Sequence, residues 1–227
     1  MSSRDDSEGS DRKSVAALPE VVTDPDQRAR REASNGLRQV DAVTKYIEEA
    51  LAGGSRFELR PSILLNLNRF ALEGINNYAG NYRPSEIYIH GSKHKPPPRA
   101  EVATRVEELC DYVNENFSEK SAIHLAAYVM WRVNWVHPFD DGNGRTARAA
   151  SYLVLCVKLG YRLPGKKSLI DLIVGSKPPY WAALEAADAA WVDNNRIDVG
   201  ELERLLENLL GAQLVSVLED AKGQPIA

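Results

Sequence analysis

The feature that most constrains this chain is a polar, glycine-bearing loop between two long apolar segments. The loop, His137–Arg148, holds a histidine, two aspartates, two glycines and two arginines. The apolar run Ile123–Val136 leads into it, and a second run, Ala149–Leu159, leads out. Helices that are apolar on most sides belong at the centre of a fold. A polar loop between two such helices is costly unless it binds something, so the sequence predicts a phosphate and metal site here.

The residue types in the loop suit that chemistry. Glycines 142 and 144 let backbone N–H groups converge on one anion, and the following helix directs its positive dipole end to the same point. Arg145 and Arg148 lie one helical turn apart, so both guanidiniums can contact that anion. Asp141 is a hard oxygen ligand, and Mg²⁺ commonly takes one or two carboxylates plus substrate phosphates. His137 can accept a proton from an incoming hydroxyl.

Each of these residues also has an ordinary explanation when it is taken alone. A single histidine before a proline is usually structural or merely exposed. Asp-Gly and Asn-Gly are common turn dipeptides, and two arginines at helical spacing usually face solvent. The combination of all of them in one loop between two apolar helices is what favours a functional site.

Composition excludes several other classes of protein. The chain has 227 residues, of which 44% are hydrophobic and 26% charged, enough for one sizeable core. The net charge of −4 comes with no long basic block, so we expect no bulk electrostatic binding of nucleic acid. Arg132, Asn134 and Arg148 interrupt the most apolar region, so we expect no membrane span.

Two features of the sequence indicate where in the cell the protein is found. Met1–Lys13 is polar and lacks an apolar core, so we expect no secretory signal. Cys110 and Cys156 lie among apolar residues, a pattern typical of buried, reduced thiols. We therefore expect a cytoplasmic protein.

Hydrophobic spacing predicts an all-α fold. Apolar residues recur at helical intervals in about seven or eight segments, the first with Leu37, Val40, Val43, Ile47 and Leu51. Ile87–Ser92 alternates briefly and carries β-branched and aromatic residues, so we predict a small β-hairpin in which Lys93–Pro96 is the returning strand. The polar composition of residues 1–30 predicts a mobile tail.

The loop also resembles a known signature. His137–Arg148 matches every specified position of the Fic family pattern, His-x-Phe-x-(Asp/Glu)-Gly-Asn-Gly-Arg-x-x-Arg. The likeness extends over about Ile63–Leu210 and includes Leu72–Gly74, Tyr78–Arg83 and Ile89–Pro96. It implies a Fic-type helical bundle over residues 61–210, preceded by an N-terminal helix packed on the core over 31–60 and followed by a helix end and tail over 211–227.

Most Fic enzymes move AMP from ATP onto a Ser, Thr or Tyr hydroxyl of a target protein. The resemblance therefore implies a role for each signature residue of this chain. His137 would be the general base, Phe139 would anchor the loop, and Asp141 would hold Mg²⁺ on the α- and β-phosphates. Gly142, Asn143 and Gly144 would form the anion hole, and Arg145 and Arg148 would contact the β- and γ-phosphates. We expect ATP as co-substrate and Mg²⁺ as cofactor.

Two further positions bear on the reaction. A branch of the family that phosphorylates its targets has lysine at the place of Gly144, and glycine leaves the room expected for AMP transfer. The segment Ile87–His94 resembles the family's flap, which holds an extended segment of the target by main-chain pairing. The alternative is an ordinary surface hairpin. His90 and His94 could contact nucleotide or target, and neither is assigned a catalytic role.

The chain departs from the family in its inhibitory motif. Many Fic proteins inhibit themselves through (Ser/Thr)-x-x-x-Glu-(Gly/Asn), whose Glu pairs with the second signature arginine. Near the N-terminus Arg31 stands at the Ser/Thr position and Asn35 at the Glu position, and an amide cannot form an ion pair with Arg148. Near the C-terminus Glu207-Asn208 follows Glu203 instead of Ser or Thr. We predict no fully working internal inhibitory motif.

The leading hypothesis is a Mg²⁺-dependent protein adenylyltransferase. One alternative keeps the site but transfers another nucleotide monophosphate or removes AMP from a modified target. A second alternative is a non-catalytic regulator that binds nucleotide or a partner, against which the presence of His137 argues. The sequence leaves open the target, the modified residue, the preferred nucleotide and the oligomeric state.

Overall fold

Helices account for nearly all of the regular structure. The computed structural model describes residues 14–15, 21–53, 56–166 and 168–222. The eight helices in these ranges are α1 (Pro25–Ala52), α2 (Pro61–Leu72), α3 (Val102–Glu115), α4 (Ala122–Val136), α5 (Asn143–Leu159), α6 (Leu169–Gly175), α7 (Lys177–Asn194) and α8 (Gly200–Lys222). The prediction of an all-α fold with seven or eight helices is confirmed. Within the described ranges, every helix is too short or too polar to cross a membrane.

The central pair of helices is α4 and α5, which flank the signature loop. Both are buried on most sides, as their apolar sequences predicted. Leu125 and Leu153 are fully buried, and burial of such a side chain stabilises the fold by roughly 1.5–3 kcal/mol. The Ser151 hydroxyl donates to the Ala126 carbonyl at 2.8 Å and joins the two helices. The loop between them is therefore held at the middle of the molecule.

Helix α1 begins earlier than the sequence indicated and packs through a different face. It starts at Pro25, because the Asp24 carboxylate caps the Gln27 N–H at 2.7 Å and proline suits a first turn. Of its predicted apolar stripe, Val43 and Ile47 are buried, whereas Leu37 and Val40 are 69% and 57% exposed. The predicted mobile tail falls largely on residues 1–13 and 16–20, which lie outside the described residues.

The predicted β-hairpin is wrong in its pairing. Strand β2 (Tyr88–Ile89) pairs antiparallel with β1 (Ser14–Val15), with Val15 opposite Tyr88, and not with Lys93–Pro96. The returning segment leaves the strand because His94 turns inward to bond the Trp135 carbonyl. Prolines follow directly, and each lacks the N–H that a strand ladder needs.

A buried arginine attaches α7 to α4. The Arg132 guanidinium lies 4.1 Å from the ring centroid of Trp135 and 4.5 Å from that of Trp191. Stacking on aromatic faces stabilises a buried guanidinium. The Trp131 indole N–H donates to the Asp188 carboxylate at 2.8 Å across the same interface. These contacts place α7 beside the C-terminal end of α4, where the signature loop begins.

The two cysteines are structural. Cys110 and Cys156 are both buried and neither forms a disulfide. Burial raises the pKa of the Cys110 thiol to about 12 and raises the pKa of Cys156 as well. A thiol that stays protonated is a poor nucleophile. The prediction that both cysteines are buried is confirmed, and both are free thiols in the structure.

Candidate active site

The signature loop opens into a cleft of about 720 Å³ between α1, α5 and α7. All predicted site residues except Phe139 line it, namely His137, Asp141, Gly142, Asn143, Gly144, Arg145 and Arg148. The structure thus brings the predicted base, carboxylate and arginines together in one space. Their chemical roles depend on the geometry of each side chain.

His137 is the group with the most perturbed acidity in the cleft. It caps the C-terminus of α4 with left-handed backbone angles, φ 49° and ψ 56°, and its side chain is buried. Nδ1 lies 3.1 Å from the Asn134 carbonyl, which requires an N–H there and makes Nε2 the basic nitrogen. Burial lowers the pKa of His137 from 6.5 to about 4. The imidazole is therefore neutral at pH 7 and able to accept a proton.

The loop after His137 is fixed by Phe139 and Asn143. The Phe139 ring is buried against Tyr82, with ring centroids 6.3 Å apart. The Asn143 side chain accepts from the Phe139 N–H at 2.9 Å and donates to the Phe139 carbonyl at 2.8 Å. Because this amide is used on the loop itself, Asn143 can contribute to an anion hole only through its backbone.

The N-terminus of α5 forms the polar end of the cleft. Gly142 caps the helix with φ 75°, and a Cβ there would lie 2.9 Å from a methyl group of Leu72. The first N–H groups of a helix have no partner within it and favour an anion. A Cβ at Gly144 would lie 3.2 Å from Nη1 of Arg148. Any larger residue at position 144 would thus press the Arg148 guanidinium back by a few tenths of an ångström.

The two arginines are engaged differently. Nη2 of Arg145 lies 3.2 Å from Asp141, and Nη1 lies 3.8 Å from Glu32 of α1. Arg148 makes no ion pair with a described residue, and its Nε is buried without a hydrogen-bond partner among them. Buried polar atoms are normally paired. Arg148 is therefore the cation most ready to meet an incoming anion.

Asp141 fits a metal that is shared with substrate, and does not fit a site built by protein alone. Its carboxylate lines the cleft and is 36% exposed. The neighbouring Asp140 is buried and accepts from Asn76 at 2.7 Å, so it supports the loop. Among the described residues, no three His, Cys, Asp or Glu side chains cluster to hold a metal. Mg²⁺ with one carboxylate, phosphates and water remains compatible with Asp141.

A positioning residue that the site prediction missed is Arg83. This side chain is 2% exposed, and its Nε donates to the His137 carbonyl at 3.0 Å. Its guanidinium also donates to Pro97, and its backbone N–H donates to Pro138 at 2.8 Å. Arg83 therefore fixes the left-handed turn that presents His137. The signal for it was its place in Tyr78–Arg83, a segment already noted for its resemblance to the family.

Asn68 of α2 holds the other side of the loop. Its Nδ2 donates to the Asp141 carbonyl at 2.9 Å, and its Oδ1 accepts from the Gly80 N–H at 3.0 Å. Asn68 is fully buried. A polar side chain inside the apolar stripe of α2 was the only sequence signal for this role.

In the family's inhibitory motif a glutamate pairs with the second signature arginine, and the contacts in this chain are different. Asn35, at the predicted glutamate position, is buried and donates to the Glu73 carbonyl at 2.9 Å, away from Arg148. Glu207 is exposed on α8 and does not line the cleft. Glu32, which the motif comparison did not single out, is the α1 carboxylate that reaches the cleft, and it meets Arg145.

The remaining walls come from α7 and from the segment after β2. Tyr180, Trp181 and Leu184 of α7 line the cleft together with Ile89 and His94. His94 Nε2 lies 2.7 Å from the Trp135 carbonyl, and His94 Nδ1 lies 3.6 Å from the Asp188 carboxylate. His90 is exposed. Of the two histidines in this segment, only His94 is part of the cleft.

Comparisons of sequence agree on one family. Residues 58–155 match the model described as Fic/DOC family. Two curated relatives are each named Protein adenylyltransferase Fic. Over 129 residues, this chain is 29% identical to the one from Drosophila willistoni and 30% identical to the one from Drosophila persimilis. The match covers 56% of this chain but only 25% and 24% of those relatives. The chain therefore spans about a quarter of the length of the curated relatives it matches.

Solved structures share the fold. A Fic-1 fragment from C. elegans superposes with a TM-score of 0.66 at 20% identity, covering 89% of this chain and 55% of that one. A Fic domain containing signaling protein from Bacteroides thetaiotaomicron gives 0.69 at 19% identity, covering 91% and 78%. The N-terminal Fic domain of a Bartonella quintana protein, solved with bound ADP, gives 0.57 at 17% identity, covering 86% and 91%.

Proposed function

We propose that this chain, whose residues 58–155 match the Fic/DOC family model, is a protein adenylyltransferase that transfers AMP from ATP to a hydroxyl group of a target protein. The observation that carries the proposal is the neutral, buried imidazole of His137 in a cleft that also holds Arg145, Arg148 and the N-terminus of α5. A binding module has no need of a base at this position. The curated relatives named adenylyltransferases support the same activity.

The proposed reaction is an attack by the target hydroxyl oxygen on the α-phosphorus of ATP. A P–O bond forms to the target, the bond to the leaving pyrophosphate breaks, and the hydroxyl proton passes to Nε2 of His137. The first turn of α5 and Arg148 would bind the phosphates, and positioning with charge neutralisation supplies most of the catalysis in such transfers. Mg²⁺ held by Asp141 would neutralise phosphate charge when bound.

Gly144 supports AMP transfer over transfer of a phosphoryl group. Gly144 leaves Arg148 space over the first turn of α5, and a lysine there would press on the guanidinium.

Arg145 is already in contact with Asp141 and Glu32, so ATP would have to take over one of these contacts. The phosphates are the only substrate groups with the charge to do so.

The target would dock beside Tyr88–Ile89. This strand already pairs with Ser14–Val15 along one edge, so an extended target segment would use the opposite edge or replace Ser14–Val15. Tyr88 is 77% exposed and available for contact. Main-chain pairing of this kind gives affinity with little dependence on the target's side chains.

The experiment uses ATP labelled at the α-phosphate or at the γ-phosphate, incubated with the protein and candidate targets. The α-label should appear on protein, should disappear with His137→Ala and should persist with His124→Gln, since His124 lies outside the cleft and bonds Tyr112 and Glu203. Transfer of the γ-label would show phosphoryl transfer instead. Bound ATP with neither label on protein would show a regulator.

A further inference from the structure

A second cavity, of about 240 Å³, shares Arg145 and Arg148 with the active-site cleft. It lies between α1, α5, the segment after α5 and the C-terminal half of α8. Val40 and Val43 of α1 and Leu163 form much of its apolar wall. The two arginines thus separate two spaces, of which the proposed reaction uses only one.

The charge of this cavity is entirely positive. Arg145, Arg148 and Arg162 line it, and its described lining contains no Asp or Glu. The active-site cleft differs, because Glu32, Asp141 and Asp188 line it together with its cations. Arg145 is already paired with Asp141 and Glu32, so Arg148 and Arg162 supply the positive charge that favours an anionic occupant.

A second, independent observation is an unpaired buried acceptor. Gln213 of α8 is 2% exposed and lines the cavity. Its Nε2 donates to the Pro164 carbonyl at 2.6 Å, which identifies Oε1 as the free acceptor. Oε1 is buried and has no hydrogen-bond partner among the described residues, and Nε of Arg148 is in the same condition. Leaving a buried polar atom unpaired costs roughly 1–3 kcal/mol, so a small shift of either side chain towards a ligand in the cavity would relieve that cost.

We propose that this second cavity binds a small organic anion. Its carboxylate or phosphate group would contact the arginines, its apolar body would pack on Val43, Leu163 and Ile170, and a donor would reach Gln213 Oε1. The volume lies below the roughly 300–1,000 Å³ of pockets for drug-sized ligands. The ligand is therefore no larger than one substituted ring or a short chain.

Binding there would oppose nucleotide binding in the cleft. Both sites use the guanidiniums of Arg145 and Arg148, and a guanidinium drawn towards one anion is less available to another. Such coupling is reciprocal between the two ligands. This consequence rests on the proposed function, whereas binding of the anion itself does not.

The test is binding of two probe anions, phenyl phosphate and 4-hydroxybenzoate, followed by methyl NMR of the full chain. Signals of Val43, Leu163 and Ile170 should shift with at least one anion, and neutral benzyl alcohol should leave them in place. Arg162→Leu removes a cation outside the proposed catalytic machinery, and Val40→Trp fills the cavity from an exposed position. Each should weaken binding about tenfold or more.

Arg196→Leu is the matched control, because Arg196 is exposed, pairs with Asp198 and lies outside both cavities. Binding should be unchanged in this variant. Equal binding in the wild type, Arg162→Leu and Val40→Trp would overturn the proposal, as would shifts confined to Ile173 and Val174 of the cleft or no shift with either anion. None of these readouts needs transferase activity, so a failed proposal about the reaction would be recognised separately.

Discussion

Glu32 of α1 lies 3.8 Å from the guanidinium of Arg145, at the entrance to the active-site cleft. Asp141 holds the same guanidinium from the other side at 3.2 Å. The α1 carboxylate in the site thus belongs to Glu32, one helical turn before Asn35. Asn35 is the residue at the family's inhibitory position. Glu32 contacts the first signature arginine, Arg145, and not the second, Arg148. The prediction that no internal inhibitory motif works fully concerned Arg148, whereas Arg145 already has acidic partners in Glu32 and Asp141.

Replacing Glu32 with Gln should tighten ATP binding by a few-fold. The pair is weak, since the two side chains are 40% and 30% exposed, and exposed ion pairs contribute about 0–1 kcal/mol. Calorimetric titration with ATP measures the effect. Glu49→Gln is the control, because Glu49 also lies on α1 and pairs with Lys45 away from the cleft. Unchanged or weaker ATP binding by Glu32→Gln would show that the contact does not restrain Arg145.

His137 should make the folded state less stable in acid. Unfolded histidine binds a proton near pH 6.5 and folded His137 near pH 4, so below 6.5 the unfolded state binds more protons. Stability therefore falls as the pH drops from 6.5 towards 4, by roughly 2–3 kcal/mol at pH 4.5 for this group. Urea unfolding at pH 7 and pH 4.5 measures the loss, which should be smaller by about this amount in His137→Gln. An equal loss in both proteins would mean that His137 is not the titrating group.

Asn68→Leu should destabilise the fold and weaken ATP binding together. The change leaves the Asp141 carbonyl and the Gly80 N–H without the partners they have at 2.9 and 3.0 Å. Each unpaired buried group costs about 1–3 kcal/mol. Thermal unfolding and ATP titration report the two effects.

Asn66→Leu is the matched control for that change. It lies two positions away on α2 and donates to the Tyr46 hydroxyl at 3.1 Å, not to the loop. It should cost some stability while leaving ATP affinity near the wild-type value. Equal losses of affinity in both variants would argue against a specific role for Asn68 in the site.

His94→Ala should loosen the segment after β2. Its imidazole bonds the Trp135 carbonyl at 2.7 Å and lies 3.6 Å from Asp188, so its removal detaches the segment from α4 and α7. Hydrogen exchange of the amides in 87–94 should become faster, whereas His90→Ala, at an exposed position, should leave the exchange unchanged. Identical exchange in the two variants would show that other contacts hold this segment.

The local chemistry of the site could be predicted because the signature is contiguous. Within His137–Arg148 the chain itself sets the order of histidine, carboxylate, helix start and arginines, and the apolar runs on either side predict burial. The helical content was predictable for the same reason, since periodicity is a local property. The supports at Asn68 and Arg83 were not assigned, because a buried polar residue acquires its partner only from another part of the chain.

By itself, the sequence determined the all-α class, the two central helices and the signature residues that line the cleft. Only the tertiary structure decided that Tyr88–Ile89 pairs with Ser14–Val15, that α1 buries Val43 while Val40 stays exposed, and that Glu32 meets Arg145. The physical reason is the separation along the chain between the residues that interact. Helix formation and turn chemistry depend on neighbours a few residues away, whereas strand pairing, the choice of buried face and long-range ion pairs depend on how the helices pack.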